Sequence, residues 1–173
     1  ENDKRQLEVL SEKFPVWISD INSLETALEM IEGVGEITGK NKSSKSLKNK
    51  ILLEFQELKK LNNSKFKTKQ KQKVLYLIWR KPFMAVGEST FIHNMLHHCG
   101  FENVLENKNY FRYPELTSKT ISELNPNQIF LSSEPYPFRE THILEMAKLC
   151  PLAEIQLVDG EMFSWYGSRM LNS

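Results

Sequence analysis

Three short apolar runs, at residues 74–79, 128–131 and 154–158, constrain this chain more than any other feature. Val74-Leu75-Tyr76-Leu77-Ile78-Trp79 is almost unbroken in hydrophobicity, the pattern of a strand buried on both faces. Gln128-Ile129-Phe130-Leu131 and Glu154-Ile155-Gln156-Leu157-Val158 read as a second and a third strand. Helical stretches stand between and around them, at about residues 89–99, 118–124 and 140–149, the last stopping before Pro151. A terminal helix is expected from about Tyr166. Strand–helix alternation of this kind predicts an α/β fold with a parallel, doubly wound sheet.

The first part of the chain has a different texture. Phe14-Pro15-Val16-Trp17-Ile18 reads as a short strand. Asn22 is expected to cap a helix, with Glu25 three residues on as its capping-box partner. Leu24, Leu28 and Ile31 recur at helical spacing, and Gly33 and Gly35 are expected to end that helix. Ser43 or Ser44 opens the next one, whose stripe is Leu47, Ile51, Phe55, Leu58 and Leu61. From residue 43 to 61 this is roughly 30 Å of helix, long for one narrow apolar face. Lys59, Lys60, Lys65, Lys67, Lys69, Lys71 and Lys73 follow. They contain no Arg and only Phe66 as an aromatic neighbour, so they read as a solvated connector rather than a nucleic-acid surface.

The totals narrow the function classes. With 173 residues the chain can bury a real core, and a net charge of +1 gives no reason to expect a nucleic-acid partner. No apolar run approaches the ~20 residues of a membrane span. The opening Glu1-Asn2-Asp3-Lys4-Arg5 reads as an interior segment, so the missing leader says nothing about compartment. Two cysteines, Cys99 and Cys150, are too few for a disulfide scaffold, and whether they pair is open.

In an open parallel sheet, ligands bind beyond the carboxyl ends of the strands. The loops there are Arg80-Lys81-Pro82-Phe83-Met84, Ser132-Ser133-Glu134-Pro135-Tyr136-Pro137-Phe138-Arg139 and Asp159-Gly160-Glu161-Met162-Phe163-Ser164-Trp165-Tyr166. All three carry large aromatics with a few polar groups, and two carry prolines that stiffen them in advance. An aromatic wall with sparse polar anchors is what a binding cleft needs. The alternative is that these rings cap the sheet as ordinary core.

Other motifs carry less. His93 and His97 sit one helical turn apart, a spacing that can hold a metal, but Asn94 stands where a zinc hydrolase needs Glu. Phe91, Ile92, Met95, Leu96 and Cys99 form the apolar face of that helix, which puts the two histidines on the opposite, solvated side. Cys99 then reads as a small buried hydrophobe. A metal-dependent α/β hydrolase using His93 and His97 is the competing function. Glu134 and Glu161 could be an acid/base pair, but nothing in the spacing makes them face each other.

Residues 74–104, 126–138 and 159–169 resemble the C-terminal lobe of class III periplasmic substrate-binding proteins, the cobalamin and iron-siderophore receptor type that includes the helical backbone metal receptors. Members have two α/β lobes joined by one rigid helix and hold ligand between the lobes. The resemblance implies that residues 1–40 are the remnant of an N-terminal lobe, 41–64 the interlobe helix and 65–173 the C-terminal α/β lobe. It implies a non-enzymatic part of an ABC importer, periplasmic or envelope-associated, that hands a bulky ligand such as cobalamin, haem or a ferric siderophore to a permease. No resident cofactor is implied. Phe83 falls where the family places an aromatic after the first strand. Tyr113 in Arg112-Tyr113-Pro114-Glu115 matches a Trp lining the cleft. Glu161 matches an Asp near the ligand, and Trp165 replaces an Arg. The permease-facing Glu of the family is Lys119 here, after Ser118, with Glu115 and Glu123 nearby. The expected ligand-binding residues are Trp79, Arg80, Phe83, Tyr113, Glu134, Tyr136, Glu161, Phe163, Trp165 and Tyr166.

Overall fold

A computed structural model describes residues 3–65 and 71–172, except the side chain of Lys65. Phe66, Lys67 and Lys69 of the lysine-rich run lie outside the described residues. Strands β1 (Lys73–Trp79), β5 (Gln128–Ser132) and β6 (Glu154–Val158) run parallel, as their apolar patterns predict. Beyond β1 the sheet continues with two short antiparallel strands, β2 (Phe83–Ala85) and β4 (Glu115–Leu116), in the order β4-β2-β1-β5-β6. The two-residue β3 (Glu102–Asn103) pairs in parallel with the start of β1. The sheet is therefore mostly parallel. β2 and β4 escape a reading based on apolar runs because they are too short to show a period.

Alternation along the strands sorts side chains into two layers. Leu75, Leu77, Ile129 and Leu131 pack on one face with Ile121 of α5 (Ser118–Leu124) and Met146 of α6 (Glu140–Leu149). Val74, Tyr76, Ile78 and Phe130 face the other way, onto Ile92 and Leu96 of α4 (Phe91–His98). Each fully buried Leu or Ile contributes about 1.5–3 kcal/mol.

A third cluster joins α2 (Leu24–Ile37) and α3 (Asn41–Lys65) to the back of α4. Leu24, Ala27, Leu28 and Ile31 meet Ile51 and Phe55, then Phe91, Met95 and Met170. The expected stripe on α3 is buried at Ile51 and Phe55, while Leu61 is exposed near the helix end. The three helices also finish one another's ends. Asn94 Oδ1 of α4 accepts from Leu24 N at 2.9 Å, and Asn62 Nδ2 of α3 donates to His98 O at 2.7 Å.

Four local expectations are corrected. Residues 14–18 form no strand: the segment finds no ladder partner among the described residues, and the Trp17 ring lies against Gly33 instead. The α2 cap is Ser23, in a capping box with Thr26, rather than Asn22 with Glu25. α2 also runs through Gly33 and Gly35 to Ile37. Gly35 is there for close approach, since a Cβ on it would collide with Ser44 of α3, and the chain breaks instead at Gly39, φ +68°. The terminal helix is a short 3-10 turn, Ser168–Leu171. The helix α7 (Gly160–Ser164) precedes it inside the presumed loop, capped by Asp159, which accepts from Glu161 N at 3.0 Å. An eight-residue helix α1 (Lys4–Ser11), capped by Asp3, precedes all of these.

Candidate ligand-binding site

The loops after the three parallel strands do meet at one sheet edge. Glu134 Oε1, beyond β5, accepts from Ser164 Oγ at 2.7 Å and from Trp165 Nε1 at 3.0 Å, both beyond β6. Gly160 N donates to Ser133 Oγ at 2.9 Å. Trp79, at the end of β1, sets its ring edge-on to Tyr136 at 5.7 Å. Tyr136 in turn packs edge-on against Phe138 and His142 at 4.8 and 5.5 Å.

A groove of about 790 Å³ opens beside these loops. Its lining includes Ile18, Asp20 and Ile21 from the first part of the chain, and Phe91, Arg112, Tyr113 and Tyr166 from the rest. Arg112 Nη2 reaches Asp20 Oδ2 at 2.6 Å, joining these two sets of residues. Both partners are partly exposed, so the pair sets register more than it adds stability. Tyr113, Tyr166 and Trp165 are 38%, 47% and 51% exposed. Tyr166 is steadied edge-on by Phe91 at 5.6 Å.

Of the sequence-predicted residues, Tyr113 and Tyr166 line the groove, Trp165 lies between the lining residues Ser164 and Tyr166, and Trp79 and Tyr136 form the adjoining ring cluster. The polar residues are held by internal partners. Arg80 binds Glu145 of α6 with both Nε (2.7 Å) and Nη2 (3.1 Å), Glu134 holds the Trp165 indole, and Glu161 pairs with Arg169 at 2.9 Å. Phe83 packs against the core under α5 and α6, and Phe163 against Tyr76 and Phe130 at 5.3 and 6.1 Å. Asp20, Phe91 and Arg112 were missed by sequence reasoning. Only Arg112 had a signal, as the neighbour of Tyr113.

Ionisation follows these contacts. The Arg80 guanidinium holds Glu145 below the ordinary carboxylate range. A carboxylate with a depressed folded pKa stabilises above its unfolded value, near 4.3, and loses that contribution as pH falls through the folded value. Glu145→Gln is therefore expected to be less stable than wild type at neutral pH, with the difference closing in acid. Urea midpoints measured at several pH values would check this, and a gap that stays constant down to strong acid would contradict it. Burial pushes the Tyr76 hydroxyl far above its usual range, so it stays protonated and hydrogen-bonded to Ser132 Oγ at 3.2 Å.

His93 and His97 are not on a solvated face. Both are half-buried beneath the turn that follows β3, where Glu106 stands 3.2 Å from His97 Nε2. Burial and the neighbouring His97 hold His93 below the usual imidazole range. Cys99 and Cys150 are free, with burial raising both thiols. Lys119 is exposed beside Glu123 at 3.7 Å. Among the described residues no helix is long and apolar enough to cross a membrane.

Residues 2–148 match the family described as periplasmic binding protein. No curated protein matches the chain. Among solved structures, the periplasmic heme-binding protein RhuT of Roseiflexus sp. RS-1, in apo form, is 16% identical with a TM-score of 0.82, over 99% of this chain and 68% of that one. A periplasmic heme-binding protein of Pseudomonas aeruginosa is 14% identical, TM-score 0.81, over 99% and 65%. The periplasmic vitamin B12-binding protein BtuF of Vibrio cholerae is 16% identical, TM-score 0.75, over 99% and 66%. The chain thus spans about two thirds of the length of these structures, and at such identities the likeness speaks for fold alone.

Proposed function

The chain belongs to the periplasmic binding protein family, and from that premise we propose that it captures a bulky small molecule for an ABC importer in the periplasm or cell envelope. The ligand class is a flat or macrocyclic metal complex such as haem, cobalamin or a ferric siderophore. Residues 1–40 belong to an N-terminal lobe, 41–64 to the interlobe helix and 65–173 to the C-terminal lobe, with ligand held between the lobes. The protein binds and releases, and does not catalyse.

One observation carries this reading: a groove of about 790 Å³ lined by part-exposed tyrosines and bridged by the Arg112–Asp20 ion pair. That volume lies within the range of small-molecule sites, and exposed rings are the surfaces on which a planar ligand stacks. The competing hydrolase reading places its chemistry at His93 and His97, which are not among the residues lining the groove.

Tryptophan fluorescence of the chain, titrated with haem, cobalamin and a ferric siderophore and corrected for ligand absorbance, is the direct test. Saturable quenching by one of them is expected. Trp165→Ala should weaken that binding by about 1–3 kcal/mol, the range for stacking on an aromatic. Unchanged affinity in this variant would remove Trp165 from the site, and no quenching by any of the three would refute the ligand class.

A further inference from the structure

Away from the groove, α4 carries donors that ligand capture leaves unused. His93 and His97 have ring centres 4.6 Å apart, and Glu106 reaches them from the turn after β3. One donor atom from each of the three lies within 4.8 Å of the other two. Two atoms bound to one tetrahedral zinc at about 2.0–2.1 Å stand about 3.3 Å apart, and His97 Nε2 and Glu106 Oε2 are separated by 3.2 Å. Yet His97 Nε2 is buried and makes no hydrogen bond among the described residues, because the nearby carboxylate is out of line with it. A buried ring nitrogen left in this state asks for an explanation, and a cation between the two groups supplies one.

We propose that His93, His97 and Glu106 bind one divalent transition-metal ion of the zinc class, with water completing its coordination. Two imidazoles and one carboxylate suit a borderline metal. They do not suit calcium or magnesium, which take oxygen ligands. The site also has a structured surround. Asn103 is locked by donating to Val86 O at 2.9 Å and accepting from Leu105 N at 3.0 Å, so its amide faces His93 Nδ1 at 3.1 Å. The ion ties α4 to the loop that runs on to Arg112 and Tyr113, and so braces one wall of the groove from behind.

The test uses the chain without an affinity tag, stripped with a chelator and titrated with zinc against a chromophoric competitor. One equivalent is expected to bind. His97→Ala should lower the affinity about 100-fold or more, beyond the span of an outer-shell change. The near-isosteric Glu106→Gln, which keeps the loop's shape if His97→Ala folds poorly, should lower it at least about tenfold. Zinc should raise the thermal midpoint of the wild type and leave that of His97→Ala where it was. Absence of uptake at micromolar zinc would overturn the proposal. Equal uptake by wild type and Glu106→Gln would overturn it too, by locating the ion elsewhere.

Discussion

Replacing Gly87 with alanine is expected to unseat the segment that carries Arg112 and Tyr113 into the groove. The Gly87 N–H donates to Arg112 O at 2.6 Å, Glu88 N–H to Tyr110 O at 3.0 Å, and Arg112 N–H returns to Glu88 O at 2.9 Å. A Cβ on residue 87 would lie inside van der Waals contact with Tyr110 O and 3.1 Å from Arg112 O. Both obstacles are backbone, so no rotamer change relieves them and the segment must back away. Losing these bonds in a buried setting costs about 2–4 kcal/mol. The urea midpoint should fall accordingly. Ligand affinity should fall further than instability explains, because the Arg112–Asp20 bridge is carried off with the segment. A variant within about 0.5 kcal/mol of wild type, the range of an inconsequential surface change, would show that the segment is not held this way.

Phe163→Ala is expected to cost about 2–4 kcal/mol of stability, somewhat below the value for a fully enclosed phenylalanine. Its ring closes the sheet face against Tyr76 and Phe130 and touches the cluster formed by α2 and α3. Trp165, two residues on, should behave in the opposite way. Its side chain is half exposed and donates through the indole N–H to Glu134, the carboxylate that also holds Ser164, so its loss should shift stability by less than about 1 kcal/mol. Chemical denaturation and ligand titration of both variants separate a core ring from a binding ring. If Phe163→Ala unfolds at the wild-type midpoint but loses ligand, Phe163 is a wall of the groove instead.

That contrast shows how far sequence reasoning reaches. β1, β5 and β6 are legible because each is buried on both faces and so writes an unbroken apolar run. α5 and α6 lie at the expected residues 118–124 and 140–149, and α6 stops before Pro151. The strand expected at residues 14–18 depends on a ladder partner, which local composition does not report. Gly33 and Gly35 look like stops because intrinsic propensity disfavours glycine in helices, yet contact with Ser44 required one of them. In the site, aromatic enrichment of the three loops was visible, but not which rings turn inward: Phe163 and Trp165 carry the same compositional signal. The Asp20–Arg112 pair joins residues 92 apart in the chain, and nothing local announces it. The spacing of His93 and His97 marked a pair. Glu106 and the turn that covers them depend on the pairing of β3 with β1.

The exchanged helix ends have a mechanical consequence. The first amide of α2 is capped from α4, and the last turn of α4 is capped from α3. None of the three can fray or open alone without stranding a polar group that belongs to another. They therefore constitute one cooperative unit, protected or exposed to solvent exchange together. α4 also packs on the sheet through Ile92 and Leu96, so this unit shares its boundary with the sheet's own core.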